Sequence, residues 1–458
     1  MASIWPGPET PQDTPVEIAG WIAIPDPSGE DRRFILGPEA PCCPGCPPDA
    51  ARMVEVLAAA PIAPRPGRIR LTGRWHRLPA DDPAGWRWQL REARYAGLAE
   101  APGPWLARRA LLASLPLACV AATTACSAPP AAAETAALLA EASPMDLHSH
   151  AGRVILARLR QRPFEPVAAP MRDGGMRLIA LAIVADTLTT HVTGDNRIQA
   201  FRRPEPGELA AHGEAAFARL ATLVREQGLA VVTDQASLRA LGAGPGIVVA
   251  AEGADFLEGR LEALEAAFTA HWLRHLQLVH YRVNELGDIQ TEPPVHDGLT
   301  PFGAAVVRDC NRRGIVVDVA HATFLTVKGV VEATARPLVL SHTSITPRPG
   351  PRSRQITADH ARLVASTGGV IGIWPPTTIF PTLRAYAEGM ARMVDVVGVE
   401  HVGIGSDMQG LLSPAAFGDY RQTPELAAAL LATGFSRAEA AKLLGGNYAR
   451  VLAAVLPG

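Results

Sequence analysis

The sequence predicts a (β/α)8 barrel over residues 145–458, preceded by a small mostly-β domain. Two observations carry the prediction. Eight short apolar runs alternate with amphipathic helical patterns across this span, the pattern of buried parallel strands covered by helices. Six of those eight runs carry at their ends a histidine or carboxylate taken as a site candidate, and in such a barrel all strand C-termini meet on one face. A doubly wound open sheet is the alternative, but the glycine-rich phosphate turn it tends to show after its first strand is absent.

The bulk numbers narrow the function. At 458 residues the chain is long enough for two or three domains, and 48% hydrophobic with 19% charged residues is an ordinary globular balance. A net charge of −2 with no long basic run argues against nucleic acid as a partner, because phosphate binding needs clustered Lys and Arg. Of six cysteines only Cys310 lies in the C-terminal two-thirds, so the large domain is not stapled by disulfides.

Residues 1–104 hold four β-like runs at 16–24, 33–37, 67–78 and 85–97, whose alternation points to a small antiparallel sheet or an OB-like barrel. Cys42, Cys43 and Cys46 lie between two of them. Three thiols without a second ligand pair are a weak zinc signal, and a proline-stiffened loop with incidental thiols is the plainer reading. The domain reads either as a docking module or as a small metal or redox module.

Residues 105–144 form a linker with an apolar stretch. Arg108-Arg109 precede an uncharged run that ends in Ala125-Cys126-Ser127, which resembles an export signal with a lipoprotein cleavage site. Its place in mid-chain departs from that pattern, and a buried Ala-rich helix is the competing reading. An anchor at 108–127 would put the large domain in the cell envelope; without one the protein stays cytoplasmic.

In order, the eight barrel runs are 145–150, 176–186, 246–253, 273–281, 314–321, 337–344, 368–375 and 401–407. Helical patterns at 207–228 and 357–368 are among those between them. The first run ends in His148 and His150, the third in Glu252, the fourth in His280, the fifth in His321, the sixth in His342 and the eighth in Asp407. Alternate residues of a strand point the same way, so His148 and His150 can face one ion. A single histidine at a strand end is more often a satisfied polar group than a ligand; the set as a whole is what carries the argument. Histidine and carboxylate without cysteine suit zinc, with manganese or iron as alternatives. Five ligands exceed what one zinc takes, and a pair of ions about 3.5–4 Å apart would use them. Such a pair acidifies a shared water and polarises a carbonyl, which favours hydrolysis.

At these residues the chain resembles the membrane dipeptidase (renal dipeptidase-like) family of zinc peptidases. The resemblance runs from about 145 to 456 and is carried by DLHSHAG, AAEGADFLEG, LQLVHYRVNELGD, VVDVAHAT, PLVLSHTSI, SRQITADHARLVASTGG, HVGIGSDMQG and GGNYARV. It implies that His148 and His150 bind one metal, His321 and His342 a second, and that Glu252 bridges both. It implies that His280 contacts the substrate carbonyl, Arg354 holds the terminal carboxylate of a dipeptide, and Asp407 passes a proton to the leaving amine. Asn447 is structural on this reading. A homodimer is compatible with the resemblance, as is a D-residue at the substrate's C-terminal position. Three departures bear on the substrate. His150 stands where relatives often have Asp, Gln409 where they often have an acid, and Arg348 and Arg352 are rivals to Arg354. Hydrolysis of N-acyl amino acids or cyclic amides, and a non-catalytic envelope binding protein, are the competing functions.

Overall fold

The computed structural model describes residues 10–24, 32–37, 54–62, 69–78, 88–98, 132–158, 161–242, 244–350 and 352–458. The chain divides into two compact units, residues 1–121 and 122–458. The apolar segment at 108–127 and the cysteines at 42, 43, 46, 119 and 126 lie outside the described residues. Among the described residues no helix is long and apolar enough to cross a membrane.

The first unit is a closed five-stranded barrel. Its strands are β1 (Thr14–Ile24), β2 (Arg33–Gly37), β3 (Val54–Ala58), β4 (Ile69–Arg77) and β5 (Trp88–Leu98). They run in the order β1-β2-β3-β5-β4, and β4 pairs back onto β1. Only β3 and β5 pair in parallel. This is the OB-like arrangement. Sequence reading found four of the strands and missed β3, whose five residues carry too short an alternation to register. Val54, Val56, Leu71, Trp75 and Leu90 fill the interior, and the Trp75 and Trp88 rings stack at 5.2 Å. The buried Glu55 is held by Arg33 at 2.6 Å and by Gln89 at 2.6 Å, the pairing a desolvated carboxylate requires.

In the second unit the strands are β6 (Met145–Ser149), β7 (Leu178–Val184), β8 (Thr190–Val192), β9 (Ile198–Ala200), β10 (Ala230–Val231), β11 (Gly246–Glu252), β12 (Leu273–Gln277), β13 (Val316–Asp318), β14 (Val339–Thr343), β15 (Val370–Ile373) and β16 (Val402–Ile404). Eight of them close a parallel barrel in the order β6-β7-β11-β12-β13-β14-β15-β16, with β16 pairing back onto β6. All eight expected runs supply a strand. Their residues are buried throughout, as strands sandwiched between barrel interior and outer helices must be. The sequence reading missed the β8–β9 hairpin and the two-residue β10. The hairpin spans THVTGDNRIQA, a polar stretch with no apolar period to betray it.

Helices begin where a side chain can satisfy their orphan amides. Thr300, Thr323, Thr357 and Thr382 each accept a hydrogen bond from the third amide of the helix they open. Such a cap contributes about 1 kcal/mol. The C-terminal helix Asn447–Val455 closes the barrel's N-terminal end. Its Tyr448, Val451, Leu452 and Val455 pack with Met145, Leu178, Val316, Val339 and Val370, each the first residue of its strand. Asn447 donates to the Val399 and Val402 carbonyls at 2.7 and 2.9 Å, a structural tie. With one end plugged, the opposite face is left for chemistry.

Candidate active site

Two buried carboxylates hold the strand ends that carry the site. Asp146 on β6 accepts from the Ser406 amide at 2.9 Å, the Tyr420 hydroxyl at 2.9 Å and the Ser406 hydroxyl, tying β6 to the segment after β16. Asp318 on β13 accepts from the Ala320 and Ser341 amides at 2.9 and 3.0 Å, tying β13 to β14. His275 bridges Asp318 at 3.2 Å and the Tyr448 hydroxyl at 2.8 Å. These ties fix the backbone from which His148, Asp407, His321 and His342 project.

The histidines converge on one carboxylate. Glu252 Oε1 lies 3.4 Å from His148 Nε2, 3.3 Å from His321 Nε2 and 3.5 Å from His342 Nε2. Glu252 Oε2 lies 3.1 Å from His150 Nε2 and 3.2 Å from His280 Nε2. His148 and His150 approach within 3.1 Å of each other, His321 and His342 within 3.0 Å. Asp407 Oδ1 stands 3.6 Å from His150 Nε2. All these side chains are buried. Thus the structure gathers six of the other seven expected site residues into one cluster with Glu252, from strand ends about 260 positions apart in sequence. The eighth, Arg354, lines the same chamber.

The donor set fits divalent cations. His150 has its Nδ1 2.8 Å from the Ala182 carbonyl, so Nδ1 carries a proton and Nε2 is turned to the centre. His342 is oriented in the same way by the Ser341 hydroxyl at 2.9 Å. Imidazole Nε2 atoms aimed at one another at about 3 Å suit a shared cation between them. Three groups of ligand atoms are close enough to share an ion: His148, His150 and Asp407; His148, Glu252 and His342; and Glu252, His280 and His321. His280 and Asp407 therefore have the reach of ligands as well as of catalytic groups.

Burial and neighbours set the charges. Desolvation opposes ionisation of Glu252, but His280 and His148 outweigh it and hold the carboxyl well below the usual range. Burial and the Arg354 guanidinium push His321 well down, and burial with His148 does the same to His342, which keeps both rings neutral. Burial alone would lower His280; Asp186 and Glu252 outweigh it and take the ring up to about 9. Desolvation, then the nearby Glu252 charge, pushes Asp407 up to about 6.

Asp186 is a site residue that sequence reasoning missed. Its Oδ1 is 2.8 Å from His280 Nδ1, and its Oδ2 accepts from the Tyr281 amide at 3.0 Å. It ends the second apolar run, so the signal was present in its position. Backbone strain also gathers here. His321, Asp407 and Gln409 have φ of 69°, 49° and 64°, left-handed conformations rare outside glycine. Gln409 turns away from the histidine cluster, donating to Glu165 at 2.6 Å and accepting from the Arg153 amide at 2.7 Å. Its replacement of an acid thus leaves the centre unchanged.

Gly410 keeps Asp407 in place. A Cβ there would sit 2.0 Å from Asp407 Oδ1 and 2.7 Å from His150 Cδ2. Gly410→Ala is expected to displace that carboxylate and lower kcat/KM by roughly 10²-fold, the usual cost of an ångström's misplacement. Steady-state kinetics beside a thermal melt checks this; an active variant would show that Asp407 needs no fixed position.

Two chambers meet above Glu252. The inner one, about 100 Å³, is lined by His150, His280, His321 and His342 with Glu252, Asp407 and Arg354. The outer, about 320 Å³, shares Tyr281, Arg354, Trp374 and Asp407 with it and is roofed by hairpin residues Asn196–Gln199. Arg354 donates Nη1 to Gln290 at 2.5 Å, while its buried Nη2 has no protein partner.

The family model for "Membrane dipeptidase (Peptidase family M19)" matches residues 208–456, more than half of the chain. Curated relatives include the dipeptidase verJ of Clonostachys rogersoniana, 32% identical over 40% of this chain, and the dipeptidase aclJ of Aspergillus oryzae, 31% identical over 39%. The chain spans about half the length of these relatives, 48% and 44%. Among solved structures, the probable dipeptidase PvdM of Pseudomonas aeruginosa matches with a TM-score of 0.58 at 18% identity over 71% of this chain and 98% of its own. A metallopeptidase of Rhodobacter sphaeroides, solved with a phosphinate mimic of L-Ala-D-Ala, matches with a TM-score of 0.58 at 21% identity over 68% and 99%. At those identities the structures speak for the fold, and the family model over residues 208–456, which hold six of the eight barrel strands, carries the assignment: the chain belongs to the membrane dipeptidase family of metallopeptidases.

Proposed function

We propose that this protein is a metal-dependent dipeptidase that uses two divalent cations, zinc by preference. The observation that carries the reading is the approach of five imidazole Nε2 atoms to within 3.5 Å of one carboxylate, Glu252. In this reading His148 and His150 would hold one cation, His321 and His342 the other, and the Glu252 carboxylate would serve both. Bound there, the cations would acidify a water and polarise the scissile carbonyl. The chain's own groups do the rest. Arg354 offers its unpartnered Nη2 to the substrate's terminal carboxylate, a task a planar guanidinium suits. His280, held by Asp186, presents Nε2–H to the oxygen of the carbonyl as charge develops on it. Asp407 takes a proton at its carboxylate and returns it to the departing amine. These three side chains are buried, which strengthens each of these contacts.

Metal-loaded protein assayed side by side on dipeptides, N-acyl amino acids and cyclic amides tests the reading. The panel carries D-residues at the C-terminal position, as in the L-Ala-D-Ala mimic held by the R. sphaeroides relative. Dipeptides are expected to turn over at least about tenfold faster than the other classes, a gap of some 1.4 kcal/mol in transition-state binding. Activity is expected to vanish on chelation and return with zinc. Turnover confined to cyclic amides or N-acyl amino acids would overturn the proposal. For residues 108–127 we propose an export or membrane-anchor role, supported by the paired arginines and uncharged run, and N-terminal sequencing of the native protein tests it.

A further inference from the structure

The outer chamber carries more positive charge than one terminal carboxylate needs. Three arginines line it, Arg197, Arg352 and Arg354, against a single acid, Asp407, on the wall it shares with the inner chamber. Arg197 comes from the β8–β9 hairpin and Arg352 from the loop after β14, so two separate loops bring cations to one mouth. Arg197 pairs with Asp195 at 3.3 Å, and Arg352 also acts on Asp195. That pair is exposed at both ends, and exposed pairs of this kind are weak and screened by salt. It leaves the guanidinium free to exchange partners.

The deeper wall is short of acceptors. Arg354 Nη2, Trp374 Nε1 and Thr291 Oγ1 are buried without a hydrogen-bond partner, and all three residues line this chamber. The Arg354 guanidinium lies 5.9 Å from the Trp374 ring, so their N–H groups can serve one ligand. The indole and guanidinium can only donate. Unsatisfied buried donors carry a desolvation cost that an acceptor-rich ligand relieves.

We propose that the preferred substrates are dipeptides with an acidic C-terminal residue, Asp or Glu. Arg354, Trp374 and Thr291 take the main-chain carboxylate, and Arg197 and Arg352 at the rim take the side-chain carboxylate. The inference rests on the dipeptidase reading, since it uses Arg354 to orient the substrate. It follows from geometry: a residue whose main-chain carboxylate sits at Arg354, on the wall common to both chambers, has the outer chamber open for its side chain.

Kinetics on matched pairs tests it: Ala-Asp against Ala-Asn, and Ala-Glu against Ala-Gln, in both C-terminal configurations. The acids are expected to exceed their amides in kcat/KM by at least about tenfold, as for a charge-assisted bidentate contact. Arg197→Ala with Arg352→Ala should erase that ratio while kcat/KM for Ala-Ala stays within about threefold, since both residues are exposed and away from the reacting bond. Trp374→Phe, which keeps the ring and loses the N–H, should raise KM for all free dipeptides and leave kcat unchanged. Equal turnover of acids and amides overturns the inference and leaves the dipeptidase reading standing. Preference for an acid at the N-terminal position overturns it too. Failure to cleave any dipeptide overturns both.

Discussion

Replacing Glu252 with glutamine is expected to empty the site of metal and to lower kcat/KM by on the order of 10³-fold or more, some 4 kcal/mol of transition-state stabilisation. Glutamine preserves the volume and one acceptor but loses the charge. That charge is what faces all five imidazole Nε2 atoms, at 3.1–3.5 Å. No neighbour can replace it. Asp407 reaches only His150 among the histidines paired with carboxylates here, at 3.6 Å, and Asp186 is turned to the far side of His280. Whichever oxygen the amide nitrogen replaces, an NH2 donor then faces either His148, His321 and His342 or His150 and His280, and the oxygen that remains on the other side is no longer anionic. Metal per chain measured by mass spectrometry, with dipeptide hydrolysis on the same sample, checks this. A variant that keeps its full metal complement and works within tenfold of the parent would falsify the central role of Glu252.

The barrel and the metal centre were legible for one physical reason. Parallel strands covered on both faces need continuous apolar residues, so β7, β11 and β15 read as LIALAIV, GIVVAAE and VIGI without a break. A histidine or carboxylate that interrupts such a run at its C-terminal end then stands out, and the barrel brings the interruptions together. The same logic should have caught Asp186, which ends its run as plainly as Asp407 does; no repeated motif drew attention to it. The rest lay in residues without a period. Arg197 comes from a hairpin of Thr, Gly, Asp and Asn whose pairing depends on the barrel beneath it. Trp374 and Thr291 matter through unpaired atoms, and whether a donor is paired is a property of packing that no spacing encodes. The departure at Gln409 was visible, but its harmlessness was not, because only the backbone turn at φ 64° shows that the side chain leaves for Glu165.

Asp407→Asn is expected to cut kcat by about 10²–10⁴-fold, the contribution of a positioned proton-transfer group, with KM and metal content little changed. Structure permits a clean substitution. Asp407 sits at φ 49°, and asparagine is the residue after glycine that best tolerates this conformation. Its amide keeps donating to the His148 carbonyl at 3.1 Å, and the side-chain volume is conserved. What changes is the ability to take up and release a proton. Burial and the adjacent Glu252 raise the carboxyl to about 6, close to where a group that must do both is most effective. Cations bound beside it pull that value down, because they favour the carboxylate. The acidic limb of the parent's pH profile is therefore expected at or below about 6, with activity lost as the carboxylate protonates, and it should be absent from the residual activity of the variant. Proton transfer has a rival here, since Asp407 also forms a ligand group with His148 and His150. The two roles part on metal content. If the variant loses an ion along with its activity, Asp407 is a ligand; if the ions stay and the acidic limb disappears, it is the group that carries the proton from water to amine.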